Sequence, residues 1–297
     1  MSREYEPKTL RKLQLAQCVI FEDFMKICEE NNLNYFITAG CAIGVERHQG
    51  FIPWDDDIDI GMLRPEYEKF MEIVKRDYSD KYSILEISQD DNFPFLNMEF
   101  KRNGTRNVPE IFKESDVDMG IDVAIYPYDN VADGKLQRAI QLSAVFFWHK
   151  IKILREFGHP VLFISGWKKK VVEIVCMIIH NMLKLFGVSH KFINKQFMKH
   201  ATKYNNQKTE LLSCFFATTP MEDAISLDEI FPLKKRKFEY LMIDVPNKNH
   251  EYLTRKFGDY MVLPPVEKRK NHVPYILEFG PFEDLQIDES YWGEYNE

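Results

Sequence analysis

Four aspartates lie within five consecutive residues of the stretch GFIPWDDDIDIGM, which spans residues 50–62. Asp55, Asp57 and Asp59 occupy alternate positions, and isoleucines fill the positions on either side of Asp59. Alternate residues of a β-strand share one face, so this spacing predicts three carboxylates on one side and Ile58 and Ile60 against a core. Neighbouring carboxylates repel one another unless a positive charge lies against them, and a divalent cation is the expected one.

A further acid stands in the apolar stretch GIDVAIYPY, which we predict to be another strand of the same sheet. Two carboxylates on one strand and a third on its neighbour can hold Mg²⁺ between protein and phosphate. Asp57 and Asp59 would be the pair and Asp122 the third acid. The glycine-punctuated segment at Gly40–Cys41 precedes a predicted short helix, whose first backbone N–H groups can receive a phosphate.

Two other interpretations of the aspartates remain open on spacing alone. Asp55, Asp57, Asp59 and Glu66 match the acidic positions of a twelve-residue calcium loop, although Ile60 stands where that loop needs glycine. The segment can also be a solvated acidic turn without a ligand.

The elements that would position these acids alternate helices with short strands up to residue 130. Apolar spacing predicts a first helix from Leu13 to Ile27 that ends at residues 31–32, and Pro65 suits the first turn of a later one. The pattern predicts strands at 33–37, 82–87, 95–101 and 120–128, and the Asn-Gly pair at 103–104 predicts a hairpin into 105–108. Three helices are predicted between 135 and 208, and an irregular chain follows.

These elements predict an α+β fold: a small mixed sheet with flanking helices and a basic helical insertion. The expected division is a catalytic core at 1–134, a helical subdomain at 135–208 and a part at 209–297 that completes the core. Length allows one large core or two modest ones.

Charge and cysteine content indicate the cellular compartment in which we expect the protein. The net charge is −7, yet residues 135–208 hold fourteen lysines and arginines against two glutamates. The five scattered cysteines form no C-x-x-C pair, which indicates reduced thiols rather than a zinc site or a disulfide framework. With no secretory signal pattern at the first residues and no apolar run of about 18 residues, we expect a cytoplasmic protein.

Four stretches resemble the LicD family, which is related to the fukutin proteins. YFITAGCAIGVERHQGFIPWDDDIDIGMLRPEYEKF at 35–70 is similar to the family signature, and FGDYMVLPPVEKRKNH at 257–272 resembles its C-terminal motif. NMEFKRNGTRNV and MGIDVAIYPYDN look like the intermediate blocks. The resemblance covers most of the chain, with the helical middle only loosely matched.

The resemblance implies a nucleotidyltransferase-like fold and transfer of a phospho-alcohol from a CDP-activated donor to a cell-surface glycan precursor such as teichoic acid, lipopolysaccharide or capsule. Phosphocholine from CDP-choline is the first expectation, and glycerol- or ribitol-phosphate transfer is the alternative. One or two Mg²⁺ ions would serve as cofactor, with Mn²⁺ able to substitute.

By position, Asp57 and Asp59 match the paired metal acids of the family, and Asp122 matches the third, as a ligand or as the base for the sugar hydroxyl. Asp55 is also an expected metal ligand. The resemblance does not indicate how Asp55 and Asp56 divide their roles. Cys41 departs from the Ser or Thr common in the family, so a side-chain hydroxyl bond to phosphate is lost there.

A CDP donor carries a pyrophosphate, so cations should surround the acids. The candidates that lie in or beside the motifs are Arg47, His48, Arg64, Lys101, Lys268, Arg269 and His272. A choline head group would also need an aromatic cage, for which the candidates are Trp54, Tyr126, Tyr128, Tyr260, Tyr291 and Trp292. Ordinary surface charge and core packing are the competing interpretations.

The segment GWKKKVVEIVCMIIHNMLKLFG at 166–187 joins an apolar run to lysines and a tryptophan. This composition is typical of a helix in a membrane interface, which would suit a lipid-linked acceptor at the inner face of the cell membrane. The competing interpretation is a helix packed on the catalytic sheet with solvated lysines. No nucleic-acid motif accompanies the charge, so no nucleic-acid partner is expected.

Two rival functions use the same residues. True nucleotidyl transfer to a small molecule would attack the α-phosphate of a nucleotide instead of the β-phosphate. A non-catalytic, membrane-docked nucleotide-binding protein would keep the fold without turnover, although the three intact acids argue against it.

Overall fold

The computed structural model describes residues 4–88, 90–91, 93, 95–113, 117–160, 165–217, 219–269 and 271–287. The helices are α1 (Pro7–Glu30), α2 (Ala39–His48), α3 (Arg64–Asp77), α4 (Lys135–Glu156), α5 (Trp167–Leu185), α6 (His190–Ala201), α7 (Leu227–Ile230) and α8 (Asn249–Phe257). The strands are β1 (Phe36–Ile37), β2 (Asp59–Leu63), β3 (Tyr82–Leu85), β4 (Met98–Arg102), β5 (Arg106–Val108), β6 (Asp122–Asn130), β7 (Leu212–Ser213), β8 (Lys234–Phe238), β9 (Leu241–Val245) and β10 (Ile276–Glu278).

Helix α1 forms where the apolar spacing predicted it. The Glu6 carboxylate accepts the backbone N–H of Thr9 at the first turn, Pro7 stands at the first helical position, and Asn31 ends the helix. The predicted inward face is fully buried. On this face Phe24 contacts the rings of Tyr35, Phe70 and Phe100, with centroids 4.8–6.4 Å apart. An aromatic cluster therefore joins α1 to α3 and to the sheet.

The central sheet mixes parallel and antiparallel strands, which confirms the predicted α+β class. Its order is β1-β2-β6-β4-β3, with β7 paired to the far end of β6. The backbone N–H of Ala124 donates to Ile58 O where β6 lies beside the chain that enters β2. In the antiparallel register of β4 and β6, Lys101 lies opposite Asp122. This order brings the start of β2 next to the start of β6.

The predicted hairpin at Asn103–Gly104 is wrong in its pairing. Gly104 has φ 81 and turns the chain, but the strand that follows it, β5, pairs with β10 near the C-terminus. The Thr105 hydroxyl donates to Arg102 O and accepts the backbone N–H of Ile121, which directs the chain away from β4. The turn was predictable, whereas its distant partner strand was not.

The expectation of an irregular chain after residue 209 is also wrong. Strands β8 and β9 form a two-stranded antiparallel sheet joined at Glu239–Tyr240, and α8 follows them. Glu239 adopts φ 55 in this turn, a left-handed conformation that the sequence did not signal with glycine. Leu241, Ile243 and Val245 are apolar, stand at alternate positions of LMIDV and are buried in the structure. This spacing of apolar residues is the sequence signal that could have predicted strand β9.

The chain divides into two compact units. The first comprises residues 1–85, 97–127 and 225–297, and the second comprises 86–96 and 128–224. The second unit contains the three predicted helices α4, α5 and α6, but residues 209–224 group with it as well. The three-part division made from sequence stays a prediction.

Within the second unit, the core lies between α4 and α6. Ile193, Phe197 and Ala201 of α6 are fully buried. Lys152 of α4 is also buried, and its ammonium donates to Phe93 O at 2.9 Å and to Asn194 Oδ1 at 3.0 Å. Burial lowers the pKa of Lys152 to about 8. This unit therefore has a packed interior with a fully hydrogen-bonded lysine in it.

Among the described residues, no single helix is long and apolar enough to cross a membrane. Helices α5 and α6 would reach the necessary length and composition only together, and the chain bends by 108° between them.

Replacing Glu239 by alanine should unfold the first unit more easily. The Glu239 carboxylate accepts from Arg11 at 2.6 Å and from the backbone N–H of Phe51 at 3.0 Å, and both side chains of the ion pair are 7% exposed. Removing one partner leaves the buried guanidinium without its counter-charge, so we expect a loss of about 3 kcal/mol in the free energy of unfolding. Urea unfolding measures it.

The exposed pair between Arg106 and Glu278 provides the matched control, since its side chains are 48% and 58% exposed. Glu278→Ala should cost less than about 1 kcal/mol. Equal losses for Glu239→Ala and Glu278→Ala would contradict the assigned importance of the buried pair.

Candidate active site

The acidic segment is not a continuous strand, which corrects the prediction from spacing. β2 begins only at Asp59, because its neighbour β1 is two residues long and pairs at Ile60 and Gly61. The backbone N–H of Thr38 still donates to Asp59 O, and from there the chain enters α2 and leaves the residues before Asp59 without a strand partner on that side. The alternation nevertheless persists, since Ile58 and Ile60 are fully buried.

Two glutamines of α1 hold the backbone of the acidic segment. Gln14 Nε2 donates to Asp55 O at 2.8 Å. Gln17 Nε2 donates to Asp56 O at 3.0 Å and lies 3.4 Å from Asp122 O, so one amide links the acidic loop to the start of β6. Both glutamines are 2% exposed. These two glutamines were not identified from the sequence. The signal that could have identified them is the presence of polar residues on the buried face of an amphipathic helix.

Gly40 and Cys41 shape the other side of the loop. A Cβ on Gly40 would lie 2.7 Å from Asp55 Oδ2, so any larger residue would collide with that carboxylate. The Cys41 thiol is buried, donates to Asp57 O at 3.2 Å and accepts the backbone N–H of Asp59 at 3.4 Å. Its side chain therefore holds the acidic loop, and only its backbone remains for the predicted phosphate contact.

The carboxylates of this loop and of β6 share one half-buried, electronegative environment. Burial and then neighbouring carboxylates raise the pKa of Asp57 to about 6 and that of Asp122 to about 7. The same causes hold the pKa of Asp55 and of Asp59 well above the ordinary range. Buried Glu99, on β4, has a raised pKa for burial and for its proximity to Asp122.

This donor set fits Mg²⁺. Carboxylate oxygens are the ligand type that the ion prefers, and the mutual repulsion that raises the pKa values of these acids would be relieved by a divalent charge. The side chains of Asp55 and Asp57 hydrogen-bond to each other, an arrangement that requires a proton on one of them. A cation would take the place of that proton.

Asp56 binds the C-terminal segment. Asp56 Oδ2 accepts the backbone N–H of His272 at 2.7 Å, and Asp56 Oδ1 lies 3.0 Å from His272 Nδ1. The hydrogen bond from Asp56 raises the pKa of His272 to about 9, so the imidazole is a cation at neutral pH. Ligand atoms of Asp56, Asp57 and His272 lie within 4.8 Å of one another, so this group could hold a cation that displaced the imidazole proton. In the structure, Asp56 and His272 anchor the C-terminal segment through their two contacts.

Two arginines flank the indole of Trp54, directly before the acids. The guanidinium of Arg269 lies 4.6 Å from the ring centroid, and that of Arg47 lies 6.0 Å from it. Arg47 donates to Tyr260 O at 2.8 Å, and Arg269 donates to Pro264 O at 3.1 Å. Burial and the nearby Arg269 lower the pKa of Arg47. Residues from two distant parts of the sequence, 47–54 and 260–269, thus form one positive surface, suited to a phosphate.

The comparisons with known proteins agree with this geometry. The LicD/FKTN/FKRP nucleotidyltransferase-domain family matches residues 32–132, which include the acidic loop and Asp122. The chain is 28% identical over 271 residues to the lipopolysaccharide cholinephosphotransferase LicD of Haemophilus influenzae, covering 89% of this chain and 96% of the relative.

The chain carries a LicD-family nucleotidyltransferase domain.

This confirms the family predicted from the sequence. Two uncharacterised rickettsial proteins match shorter parts. One from Rickettsia typhi is 35% identical over 72 residues, 24% of this chain and 23% of the relative. One from Rickettsia prowazekii is 33% identical over 72 residues, 24% of this chain and 26% of the relative.

Not all predicted cations of the LicD domain come to the acids. Arg64 lies at the opposite end of β2 from Asp59, buried and with its guanidinium 5.0 Å from the ring centroid of Tyr67. Lys268 is exposed. Burial and the adjacent Arg47 lower the pKa of His48 to about 4, so His48 is neutral at pH 7 and carries no charge for a phosphate.

Lys101 is near Asp122 but already engaged. Its side chain is buried, crosses Gly120 closely, and its ammonium donates to Asp118 O at 2.7 Å and to the Asp118 carboxylate. Its charge lowers the pKa of Asp122, an effect smaller than those of burial and Asp57. Lys101 therefore lowers the pKa of Asp122 through its charge, while its ammonium stays hydrogen-bonded to Asp118.

The aromatic candidates have different surroundings. The Tyr126 side chain hydrogen-bonds to Asp59, which places it at the acids of the LicD domain. Tyr128 is 2% exposed, and Tyr260 is 6% exposed with its hydroxyl 2.9 Å from His250 Nδ1. Tyr291 and Trp292 lie outside the described residues.

The calcium-loop interpretation is wrong. Glu66, which would close the loop, lies in α3 beyond β2, and its carboxylate accepts the backbone N–H of Asn34 at 3.1 Å and the Asn34 amide at 2.7 Å. The burial that raises the pKa of Asp57 also argues against a merely solvated acidic turn.

Without divalent cations, the carboxyls of Asp57 and Asp122 should make the folded state less stable as the pH rises from about 4 to about 7. In this range the folded state keeps protons on Asp57 and Asp122 that the unfolded chain has released, so the free energy of unfolding falls with rising pH. Asp57→Asn removes one repelling charge. Its midpoint of thermal unfolding should therefore exceed that of the wild type near pH 7 but not near pH 4.

The check is thermal unfolding in EDTA at both pH values, with Asp80→Asn as control because Asp80 is exposed. Comparing variants cancels the titration of groups elsewhere in the protein. A difference between Asp57→Asn and the wild type that does not change with pH would contradict the assignment.

Proposed function

We propose that the protein transfers a phospho-alcohol, with phosphocholine from CDP-choline as the first choice, to a sugar hydroxyl of a cell-surface glycan precursor. The observation that carries the proposal is the half-buried carboxylate group at the start of β2 and β6, together with the arginine pair on Trp54. Similarity to a lipopolysaccharide cholinephosphotransferase over 96% of its length supports both the reaction type and the head group.

Asp57, Asp59 and Asp122, with Asp55 beside them, would hold Mg²⁺, and Mn²⁺ could substitute. When bound, the ion neutralises phosphate charge and stabilises the attacking and leaving oxygens of an in-line displacement. Side chains of this protein would bind the donor and accept the proton of the sugar hydroxyl.

Arg47 and Arg269 would bind the pyrophosphate of the donor. Both guanidinium groups are half-buried and held by backbone carbonyls, so their positions are fixed before the donor arrives. A guanidinium presents paired N–H donors to phosphate oxygens, which orients the phosphate as well as attracting it.

Asp122 is the candidate base. The sugar hydroxyl oxygen forms a bond to the β-phosphorus, the bond from that phosphorus to the oxygen bridging to the α-phosphate breaks, and CMP leaves. Where Asp122 serves as the base rather than as a metal ligand, the hydroxyl proton passes to its carboxylate, whose pKa burial and Asp57 raise to about 7 in the metal-free protein.

The choice of choline rests on the relative rather than on an aromatic cage. Trp54 already lies near two guanidinium groups, so a quaternary ammonium placed there would be repelled. The rings of Tyr128 and Tyr260 are buried. Tyr126 remains, next to the negative charge of Asp59. Glycerol- or ribitol-phosphate donors therefore remain the alternative substrates.

Nucleotidyl transfer is the second candidate function, favoured by the description of the matched domain. The same acids would then promote attack at the α-phosphate of CTP, with pyrophosphate as product. A non-catalytic nucleotide-binding role would give neither product. The predicted location at the cytoplasmic face of a membrane stays a prediction.

CDP-choline should raise the midpoint of thermal unfolding only when Mg²⁺ is present. A ligand at about 100 times its dissociation constant adds about 2.7 kcal/mol to the stability of the folded state. Asp59→Asn should abolish the shift and lower CMP release from CDP-choline with a glycan acceptor by about a thousandfold. Asp80→Asn, an exposed replacement of the same chemistry, should retain both.

The alternatives are separated in the same assay. A shift with CDP-glycerol or CDP-ribitol alone would change the head group, and pyrophosphate release from CTP would favour nucleotidyl transfer. Full CMP release by Asp59→Asn would remove the metal-binding acids from the mechanism.

Arg269→Gln should weaken donor binding without weakening the fold. Losing one charge-assisted phosphate contact should raise the KM for CDP-choline about tenfold, with a small change in kcat. Arg236→Gln, in the exposed strand β8, is the control and should leave KM unchanged. Initial rates of CMP release measure both. An unchanged KM in Arg269→Gln would show that the arginine pair does not contact the donor.

A further inference from the structure

Helix α5 presents a continuous apolar stripe to solvent. Six side chains recur at helical spacing along its whole length, and each is about half exposed or more: Trp167, Val171, Ile174, Ile178, Met182 and Leu185. Residues three, four and seven positions apart lie on the same side of a helix, so these six form one face. At 1.5 Å per residue, the stripe is roughly 28 Å long.

The opposite side of α5 is already in contact with protein. Cys176, half a turn away from the stripe, is buried, and His180 Nδ1 lies 2.8 Å from Leu154 O of α4. The helix is therefore apolar on the side that packs and on the side that does not. A surface helix with no partner normally carries polar residues outside, so this stripe indicates an absent partner.

Positive charge frames the stripe. Lys168 and Lys170 lie on either side of it in the first turn, and Lys184 lies beside it in the last, all exposed. No acidic side chain falls on the stripe itself. Trp167 and Leu185, at its two ends, are 72% and 82% exposed.

A neighbouring helix repeats this arrangement. Leu136, Ile140 and Phe147 of α4 are exposed at matching helical positions, and Ile140 and Phe147 line a shallow apolar depression of about 480 Å³. Two helices of one unit thus expose apolar stripes, within a segment of fourteen basic and two acidic residues.

We propose that α5 lies flat in the surface of an anionic lipid bilayer, with its stripe in the acyl-chain boundary and its lysines against the lipid phosphates. An apolar face framed by lysines and ended by a tryptophan matches the two halves of such a surface. This inference does not depend on the proposed reaction, because no residue of the acidic site takes part in it.

Charge decides against a second copy of the chain as the partner. Pairing two α5 stripes would bring two strongly basic segments together, with few acids to compensate. Nucleic acid fits worse, since the centre of the surface consists of isoleucine, valine and methionine rather than phosphate-binding side chains. An anionic bilayer satisfies the apolar stripe and its basic frame together.

The packing of α6 argues for a helix lying on the bilayer rather than one crossing it. A span would need α5 and α6 together, yet Ile193, Phe197 and Ala201 of α6 are fully buried in this unit. Crossing the bilayer would expose the core they fill, whereas lying flat leaves it intact.

The test is co-sedimentation of the full chain with phosphatidylglycerol-containing vesicles and with pure phosphatidylcholine vesicles. We expect binding to the anionic vesicles that weakens with added salt, and little binding to the neutral ones. Ile174→Glu/Ile178→Glu should weaken anionic-vesicle binding at least about tenfold, because two charges enter the acyl boundary. Met242→Glu is the control, an equally exposed apolar side chain in the other unit.

Thermal unfolding shows whether the variants fold, and Mg²⁺-dependent binding of CDP-choline should be unaffected by Ile174→Glu/Ile178→Glu. The proposal is overturned if the wild type stays in the supernatant with anionic vesicles, or if the double variant binds them as the wild type does. Light scattering that shows a wild-type dimer lost in the double variant, without vesicle binding, would replace the bilayer by a second copy. Failure of CDP-choline binding alone would count against the proposed reaction and leave this inference standing.

Discussion

The constraint on which the candidate site depends is the mutual repulsion of half-buried carboxylates. Asp55, Asp57, Asp59 and Asp122 each have a raised pKa because burial and neighbouring acids oppose their ionisation. An acidic loop free to move would relieve this repulsion by turning its side chains to water. It is prevented from doing so by bonds to its backbone. Gln14 and Gln17 hold it from α1, and the Cys41 thiol holds it from α2.

The same loop also gathers the C-terminal part of the chain. Asp56 binds both the backbone and the imidazole of His272, while Arg47 binds Tyr260 O. These contacts bring Arg269 onto the ring of Trp54. Asp56 of the DDDID motif therefore positions the C-terminal segment, while the other acids of the motif form the candidate metal site. The positive surface exists only because the negative loop fixes the segment that completes it.

The sequence predicted the parts of this site that depend on local pattern. Helix α1, the apolar strand that begins at Asp122 and the helices between 135 and 208 follow from periodicity, and the acids follow from their spacing. The errors concern partners distant in the chain. β5 pairs with β10 instead of β4, and the strand at Asp59 starts late because β1 is short. The two glutamines were invisible for the same reason, since their role depends on which backbone lies opposite them.

The proposal of an external cation is supported by how two nearby protein cations are used. Lys101 lies opposite Asp122, yet its ammonium is bound to Asp118, and the charge of His272 is bound to Asp56. Both lower the pKa of nearby carboxyls, but burial and like charge prevail at Asp57 and Asp122. A further lysine in this position would neutralise the acids permanently. No negative charge would then remain to bind a divalent ion together with a phosphate. A carboxylate group short of positive charge, next to two arginines held for an anion, instead favours a ligand that brings a divalent ion and a phosphate together.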